Sequence, residues 1–404
     1  MATHTIKSDS SKQWVINKDN DTWNLAENAT LHVYGKTAVY VAAGYERNTL
    51  NINGDILNTG GETPSGPDFE AASLGIYVVG NNNTINIGAT SHIMAGAGVV
   101  ALQSNGATVN NRGDIVATNV GIVLGGAGVV VNSGEITGFQ GVSAGADSTV
   151  TNTASGRIIG GAGAVEFSED GDNKLFNQGF IAAAGGPVAI ADGNGNSRII
   201  NTGTIEGAVS LGGGSDRFDT SMGVFRGTVT GGDGDDTYLT SSKLSVIEAV
   251  GEGTDTVRSS ASFTLAANVE ALVLTGKAIN GTGNELDNTI TGNAGNNKLD
   301  GKAGADVLDG GKGNDILIGG TEGDLFLFRP GYGVDTIKDY ADGTDKIGIL
   351  GFAKIDDFSE LTIKQNARTD GDVWIELGNG DRIVIEDTLK TDLDATDFLF
   401  SLVV

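Results

Sequence analysis

Apolar residues return along this chain with two rhythms, and neither suits a helix. Between Gly283 and Leu327 the sequence falls into five nine-residue blocks, and each carries an apolar residue at its eighth position: Ile290, Leu299, Leu308, Leu317 and Phe326. The rest of each block is mostly glycine and polar residues. Earlier, from about residue 49, a looser pattern of Asn-x-Gly-x-apolar recurs, as in Asn111-Arg112-Gly113-Asp114-Ile115 and Asn132-Ser133-Gly134-Glu135-Ile136. Its glycines Gly113, Gly134, Gly156, Gly179 and Gly203 stand 21, 22, 23 and 24 residues apart. A drifting period just above twenty is one coil of a right-handed parallel β-helix, whereas two nine-residue blocks make one coil of a narrower parallel roll. The predicted fold is therefore all-β, a right-handed parallel β-helix continuing into a parallel β-roll.

The nine-residue blocks also carry chemistry. Each glycine-rich stretch must turn sharply through positive φ while aiming carbonyls and one side chain inward. Blocks three to five place an aspartate at position six: Asp306, Asp315 and Asp324. A hard cation such as Ca2+ takes six to eight oxygens at about 2.3–2.6 Å, which carbonyls and carboxylates of neighbouring turns can supply. The blocks resemble G-G-x-G-x-D-x-U-x, the hemolysin-type calcium-binding nonapeptide of RTX proteins. The resemblance covers roughly residues 210–404 and implies a calcium-binding β-roll.

The blocks differ in quality. Asn288 and Asn297 replace Asp in the first two, Lys302 replaces the second Gly of the third, and Glu322 stands where the fifth would have Gly. The metal ligands expected from the resemblance are Asn297, Gly304, Asp306, Gly313, Asp315 and Asp324 in the tandem array. Asp236 joins them from the nearly complete copy Gly231-Gly232-Asp233-Gly234-Asp235-Asp236. Asp335, Asp339 and Asp345 follow the array in a segment that resembles the one closing RTX rolls in serralysin-like proteases, where carboxylates cap the last calcium sites.

Domain limits follow from these changes of pattern: an N-terminal cap at 1–48 holding Trp14, Trp23 and Tyr34; a β-helix at 49–208; a roll at 209–345; and a C-terminal cap with secretion signal at 346–404. The coil is expected to run on without a flexible linker from about 49 to 340. Near the end, Asp372–Ile385 alternates around Asn379-Gly380, a strong hairpin signal. A ten-residue excess around residues 60–69, with Pro64 and Pro67, reads as a loop leaving the coil.

Charge sharpens the picture. The net charge is −26, and of 51 acidic residues 18 precede residue 209 and 33 follow it. This surplus argues against nucleic acid and an anionic membrane as partners, which it would repel, and predicts self-repulsion that a divalent cation relieves. The N-terminus has no apolar core of a secretory signal, no run of apolar residues is long enough for a membrane helix, and cysteine is absent. Acidic Asp392, Asp394 and Asp397 followed by Phe398-Leu399-Phe400 resemble the uncleaved C-terminal signal of type I secretion. A type I exporter and an extracellular location are thereby implied, with an extracellular polysaccharide or cell surface as the further partner.

Three features of the sequence bear on catalysis. His4, His32 and His92 are too far apart for the H-E-x-x-H of a zinc protease. Gly141-Val142-Ser143-Ala144-Gly145 spells G-x-S-x-G, but no histidine follows residue 92 to complete a triad. Asp114, Glu135 and Arg157 share one place in successive coils, which leaves a polysaccharide lyase, hydrolase or epimerase on a β-helix as the alternative to a structural, adhesive or binding protein. The asparagines Asn111, Asn132, Asn152, Asn177 and Asn201 read as an internal ladder, and carbohydrate stacking is the alternative to a structural role for the two tryptophans.

Overall fold

The computed structural model describes every residue except 59–72, 103, 169, 278, 366–370 and 402–404. The expected loop at 60–69 lies outside the described residues. The chain forms two compact units, Met1–Asp233 and Gly234–Val404. Both are parallel β-solenoids, and no α-helix occurs among the described residues.

In the first unit, strands of four or five residues stack in register along one face. Thr108 pairs with Val129, Val129 with Thr149, Thr149 with Lys174 and Lys174 with Arg198. A second face carries longer strands such as His92–Ala101, Asp114–Leu124 and Glu135–Ala144, each broken once by a register shift. Alternation does the sorting, because successive strand residues point to opposite faces. Ile115, Ile136, Ile158, Ile181 and Ile205, all in the place after the repeat glycine and its neighbour, are fully buried. Coils already exist within the expected cap: Thr3 pairs with Thr22 and Thr22 with Thr49, all parallel. Trp14 and Trp23 lie inside, edge to face at 5.5 Å, so their faces serve the core.

The second unit has the tighter coil. Thr289 pairs with Val307 and Val307 with Leu325, while Asn280 pairs with Lys298 and Lys298 with Ile316. Ile290, Leu299, Leu308, Leu317 and Phe326, the eighth residues of the five blocks, are all fully buried. The end of the roll is closed by the predicted hairpin: Val373–Gly378 runs antiparallel to Asp381–Ile385, which lies parallel to Val334–Ile337. Its turn residues Asn379 and Gly380 have φ of 56° and 95°, the left-handed pair that a two-residue hairpin turn requires. Phe398–Leu399 adds a last strand beside Lys346–Ile349, and Phe398 is buried.

Candidate metal centre

In the tandem array each position-six residue sits directly over its counterpart one coil earlier. The backbone N–H of Asn288 donates to Asp306 Oδ1 (2.7 Å), that of Asp306 to Asp324 Oδ1 (2.9 Å), and that of Asp324 to Asp345 Oδ1 (3.0 Å). A second file runs on the other edge. Asn297 N–H donates to Asp315 Oδ1 (2.7 Å) and Asp315 N–H to Asp335 Oδ1 (2.9 Å). Five carboxylates, Asp306, Asp315, Asp324, Asp335 and Asp345, are thus held in two buried rows, each at most 2% exposed.

The glycine at position one of each block exists to admit that carboxylate. A Cβ on Gly301 would lie 2.1 Å from Asp306 Oδ2, one on Gly310 2.4 Å from Asp315 Oδ2, and one on Gly319 2.1 Å from Asp324 Oδ2. Gly304 and Gly313 have φ of 104° and 138°, conformations in which an L side chain is strained. Lys302 and Glu322 adopt positive φ of 91° and 76° without being glycine. Glu322 is partly compensated, since its Oε2 accepts the Gly304 N–H at 2.8 Å.

Stacking acids in a narrow core has an electrostatic cost. Burial pushes the Asp306 carboxyl up to about 7, and repulsion from Asp324, Asp287 and Asp300 adds to it. Burial likewise raises Asp315 and Asp324 to about 6 and Asp335 to about 7. The donated backbone N–H groups work in the opposite direction and do not offset burial. Asp306 Oδ2 and Asp315 Oδ2 are buried with no hydrogen-bond partner. A buried oxygen bearing charge and lacking a donor is expensive, and a divalent cation is the partner that removes the expense for several acids at once. The donor set therefore fits Ca2+: hard oxygens only, charged, and set beside glycine turns.

The asparagine blocks solve the same problem without charge. Asn288 accepts the Asn284 N–H at 2.7 Å and donates through Nδ2 to the Val269 carbonyl at 3.0 Å. Asn297 accepts from Asn293 N–H (2.8 Å) and donates to the Ile279 carbonyl (3.3 Å). Asp339 and Asp345 are satisfied by backbone amides at both oxygens. Asp339 takes the N–H groups of Gly319 and Gly320, each at 2.9 Å. Asp345 takes those of Asp324 and Ala341, at 3.0 and 2.8 Å.

Asp236 stands in a different company. Together with Glu248 and Asp255 it forms a buried group whose carboxylate oxygens come within 4.8 Å of one another. The Tyr238 hydroxyl donates into this group, to Glu248 and, at 3.3 Å, to Asp236. Asp255 is raised to about 6, first by burial and then by Glu270, Asp235 and Glu252. The spacing Gly251-x-Gly253-x-Asp255-x-Val257 is a degraded nonapeptide and marks Asp255 in the sequence. Glu248 carries no such mark.

A family description, the RTX calcium-binding nonapeptide repeat, matches four copies over residues 282–324. The chain carries RTX calcium-binding nonapeptide repeats in a parallel β-solenoid. A curated relative, the endo-1,3-1,4-beta-glycanase ExsH of Rhizobium meliloti strain 1021, is 45% identical over 73 residues. That match takes in 18% of this chain and 15% of the relative. Among solved structures, the extracellular lipase LipA from Serratia marcescens aligns with 57% of this chain and 45% of its own, at 13% identity and a TM-score of 0.22. No helix among the described residues is long and apolar enough to cross a membrane.

The row of Asp114, Glu135 and Arg157 lies on the surface. Asp114 pairs with Glu135 and Glu135 with Arg157 in adjacent coils. Arg157 Nε lies 3.5 Å from Glu135 and its guanidinium sits over Phe180 at 4.6 Å. His92 stands between Asp55 (3.2 Å) and Asp114 (3.4 Å). Ser143 of the G-x-S-x-G lies within the strand Glu135–Ala144, paired with Val123 and Glu166.

Proposed function

We propose that this RTX protein is a secreted, calcium-folded β-solenoid, exported by a type I system and acting outside a bacterial cell as a structural or adhesive protein that binds polysaccharide. The observation that carries the calcium part is the pair of buried, unpartnered oxygens on Asp306 and Asp315. Asp306, Asp315, Asp324 and Asp335 would hold the cations, with Gly304 and Gly313 contributing from the turns. Asn297, Asp339 and Asp345 border those positions, and Asp236 belongs to the group with Glu248 and Asp255. The ion would supply positive charge where the chain has gathered acids.

The export part rests on the acidic-then-apolar tail. Calcium links the two, because extracellular modules bind it at about 10⁻⁴–10⁻³ M, so the roll would fold only after leaving the cell. The polysaccharide part is supported by the glycanase named among the relatives. The rival, a carbohydrate-active β-helix enzyme, draws on the same name and on the Asp114–Glu135 row. That row is weakened as a catalytic pair by its exposure and its pairing with Arg157 and His92. The test is a calcium titration of the full chain by circular dichroism, alongside export of the chain lacking residues 392–404 from a host with a type I exporter. The expected result is a steep gain of β signal and retention of the truncated chain. A complete β signal in excess chelator removes the calcium reading, and undiminished export removes the other.

A further inference from the structure

The pocket beside Tyr40 and Tyr77 is a surface feature that neither the calcium rows nor the core accounts for. Strands Trp14–Ile16, Val39–Val41 and Leu74–Val78 lie side by side, with Val15 in register with Tyr40 and Tyr40 with Tyr77. Their alternate residues Ile16, Val39, Val41, Ile76 and Val78 are fully buried, so Val15, Tyr40 and Tyr77 face outward. Val15 is 45% exposed. The tyrosine rings are nearly parallel, 13° apart with centroids at 5.6 Å. Tyr77 is anchored by packing against Leu74, Ala97 and Val100.

Around this pair lies a cavity of about 290 Å³ lined by Gln13, Lys36, Thr37, Tyr40 and Tyr77. Gln13 and Lys36 are exposed, and their side chains have no hydrogen bond or ion pair among the described residues. An ordered aromatic pair edged by an amide, an ammonium and a hydroxyl matches a molecule with apolar faces and a rim of hydroxyls. That is the description of a pyranose: its C–H face lies on an aromatic ring, and its hydroxyls meet the polar groups. Small-molecule pockets start at about 300 Å³, so this one suits a single ring rather than a long stretch of chain. Among the described residues that line the cavity Lys36 is the one charged group; it attracts an anion at short range, while the chain's net charge of −26 opposes the longer-range approach of a polyanion.

We propose that the Tyr40–Tyr77 pocket binds one pyranose ring of a neutral polysaccharide. The proposal rests on the polysaccharide-binding reading and names its site. It is tested by affinity electrophoresis of the calcium-loaded full chain through gels containing a soluble neutral β-glucan, with hyaluronate as the polyanion. The wild type is expected to be retarded by the glucan and not by hyaluronate. Tyr40→Ala should weaken the retardation about tenfold or more, the loss of one aromatic contact with its buried area. Lys36→Gln should weaken it less, and Tyr34→Ala, an exposed tyrosine outside the pocket, should leave it unchanged. Circular dichroism of each variant checks the fold, and Lys36→Gln, on an exposed side chain, keeps the test open should Tyr40→Ala misfold. Glucan retardation that survives both Tyr40→Ala and Lys36→Gln overturns the site while leaving polysaccharide binding standing. Retardation by hyaluronate alone overturns the neutral ligand. A wild type retarded by neither overturns the site and the binding reading together.

Discussion

Both units carry a buried polar ladder, and the two ladders obey opposite rules. In Met1–Asp233 the side-chain amides of Asn111, Asn132, Asn152, Asn177 and Asn201 pass a hydrogen bond from coil to coil at 2.8–2.9 Å, ending on Thr220 at 3.1 Å. Each amide is donor and acceptor at once, so the row closes on itself with no charge. In Gly234–Val404 the rows are carboxylates, which only accept. They take one backbone N–H each from the neighbouring coil and still leave oxygens on Asp306 and Asp315 without a donor. The first unit also contains the backbone-to-side-chain version, begun with neutral residues and ended on an acid: Ser148 N–H donates to Asn173 Oδ1, Asn173 N–H to Ser197 Oγ, and Ser197 N–H to the buried Asp216 Oδ1. Stacked parallel coils, wide or tight, thus accept either chemistry. An amide row satisfies its own donors and acceptors; an acid row leaves oxygens that a cation would satisfy.

The largest effects are expected from cutting one rung of each ladder. Asp315→Ala is expected to lower calcium affinity about tenfold or more, because it removes a charged ligand. Asn152→Ala should leave calcium affinity untouched and lower the stability of the first unit by about 2–3 kcal/mol, since Asn132 and Asn177 each lose a buried partner. Isothermal titration and thermal melts on the two variants decide it. Equal effects on calcium affinity would erase the distinction.

Acidity should act on one ladder alone. The folded carboxyls of Asp306 and Asp335 are raised to about 7 and those of Asp315 and Asp324 to about 6, against about 3.9 in an unfolded chain. The folded state then holds more protons, so without calcium its stability is fully present below about pH 4 and is lost as pH rises through 6 to 7. With calcium the order reverses, because protons compete with the ion. Melting the full chain at pH 5 and pH 8 with and without chelator checks both signs. A chelated second unit that melts higher at pH 8 contradicts the account.

The smallest effect concerns the backbone. Lys302 sits at φ 91°, and its side chain makes an exposed ion pair with Asp300. Lys302→Gly should raise the stability of the calcium-loaded roll by about 1 kcal/mol by relieving that conformation. Glu322→Gly should gain less, since it also forfeits the bond to Gly304 N–H. Denaturant melts that rank the two the other way would show that side-chain contacts outweigh backbone strain in these turns.

Whatever recurs was legible in the sequence. A residue that repeats every nine positions meets the same environment at each return, so the buried set Ile290, Leu299, Leu308, Leu317 and Phe326, the acids of blocks three to five and the asparagine ladder could all be read from spacing. The hairpin at Asn379-Gly380 was legible too, because a two-residue left-handed turn is a local property. What the period did not carry was left to the tertiary structure. Trp14 and Trp23 turn inward because alternation along their strands, set by register with neighbouring coils, puts them there. Glu248 reaches Asp236 and Asp255 from the position just after the strand Ser245–Ile247, outside any nonapeptide. Tyr40 and Tyr77 stand 37 residues apart, against the 21 to 24 of the regular coils, and only the pairing of their strands makes them neighbours. Sequence spacing fixes contacts when every coil has the same length; where coil lengths vary, the backbone pairing decides which side chains meet.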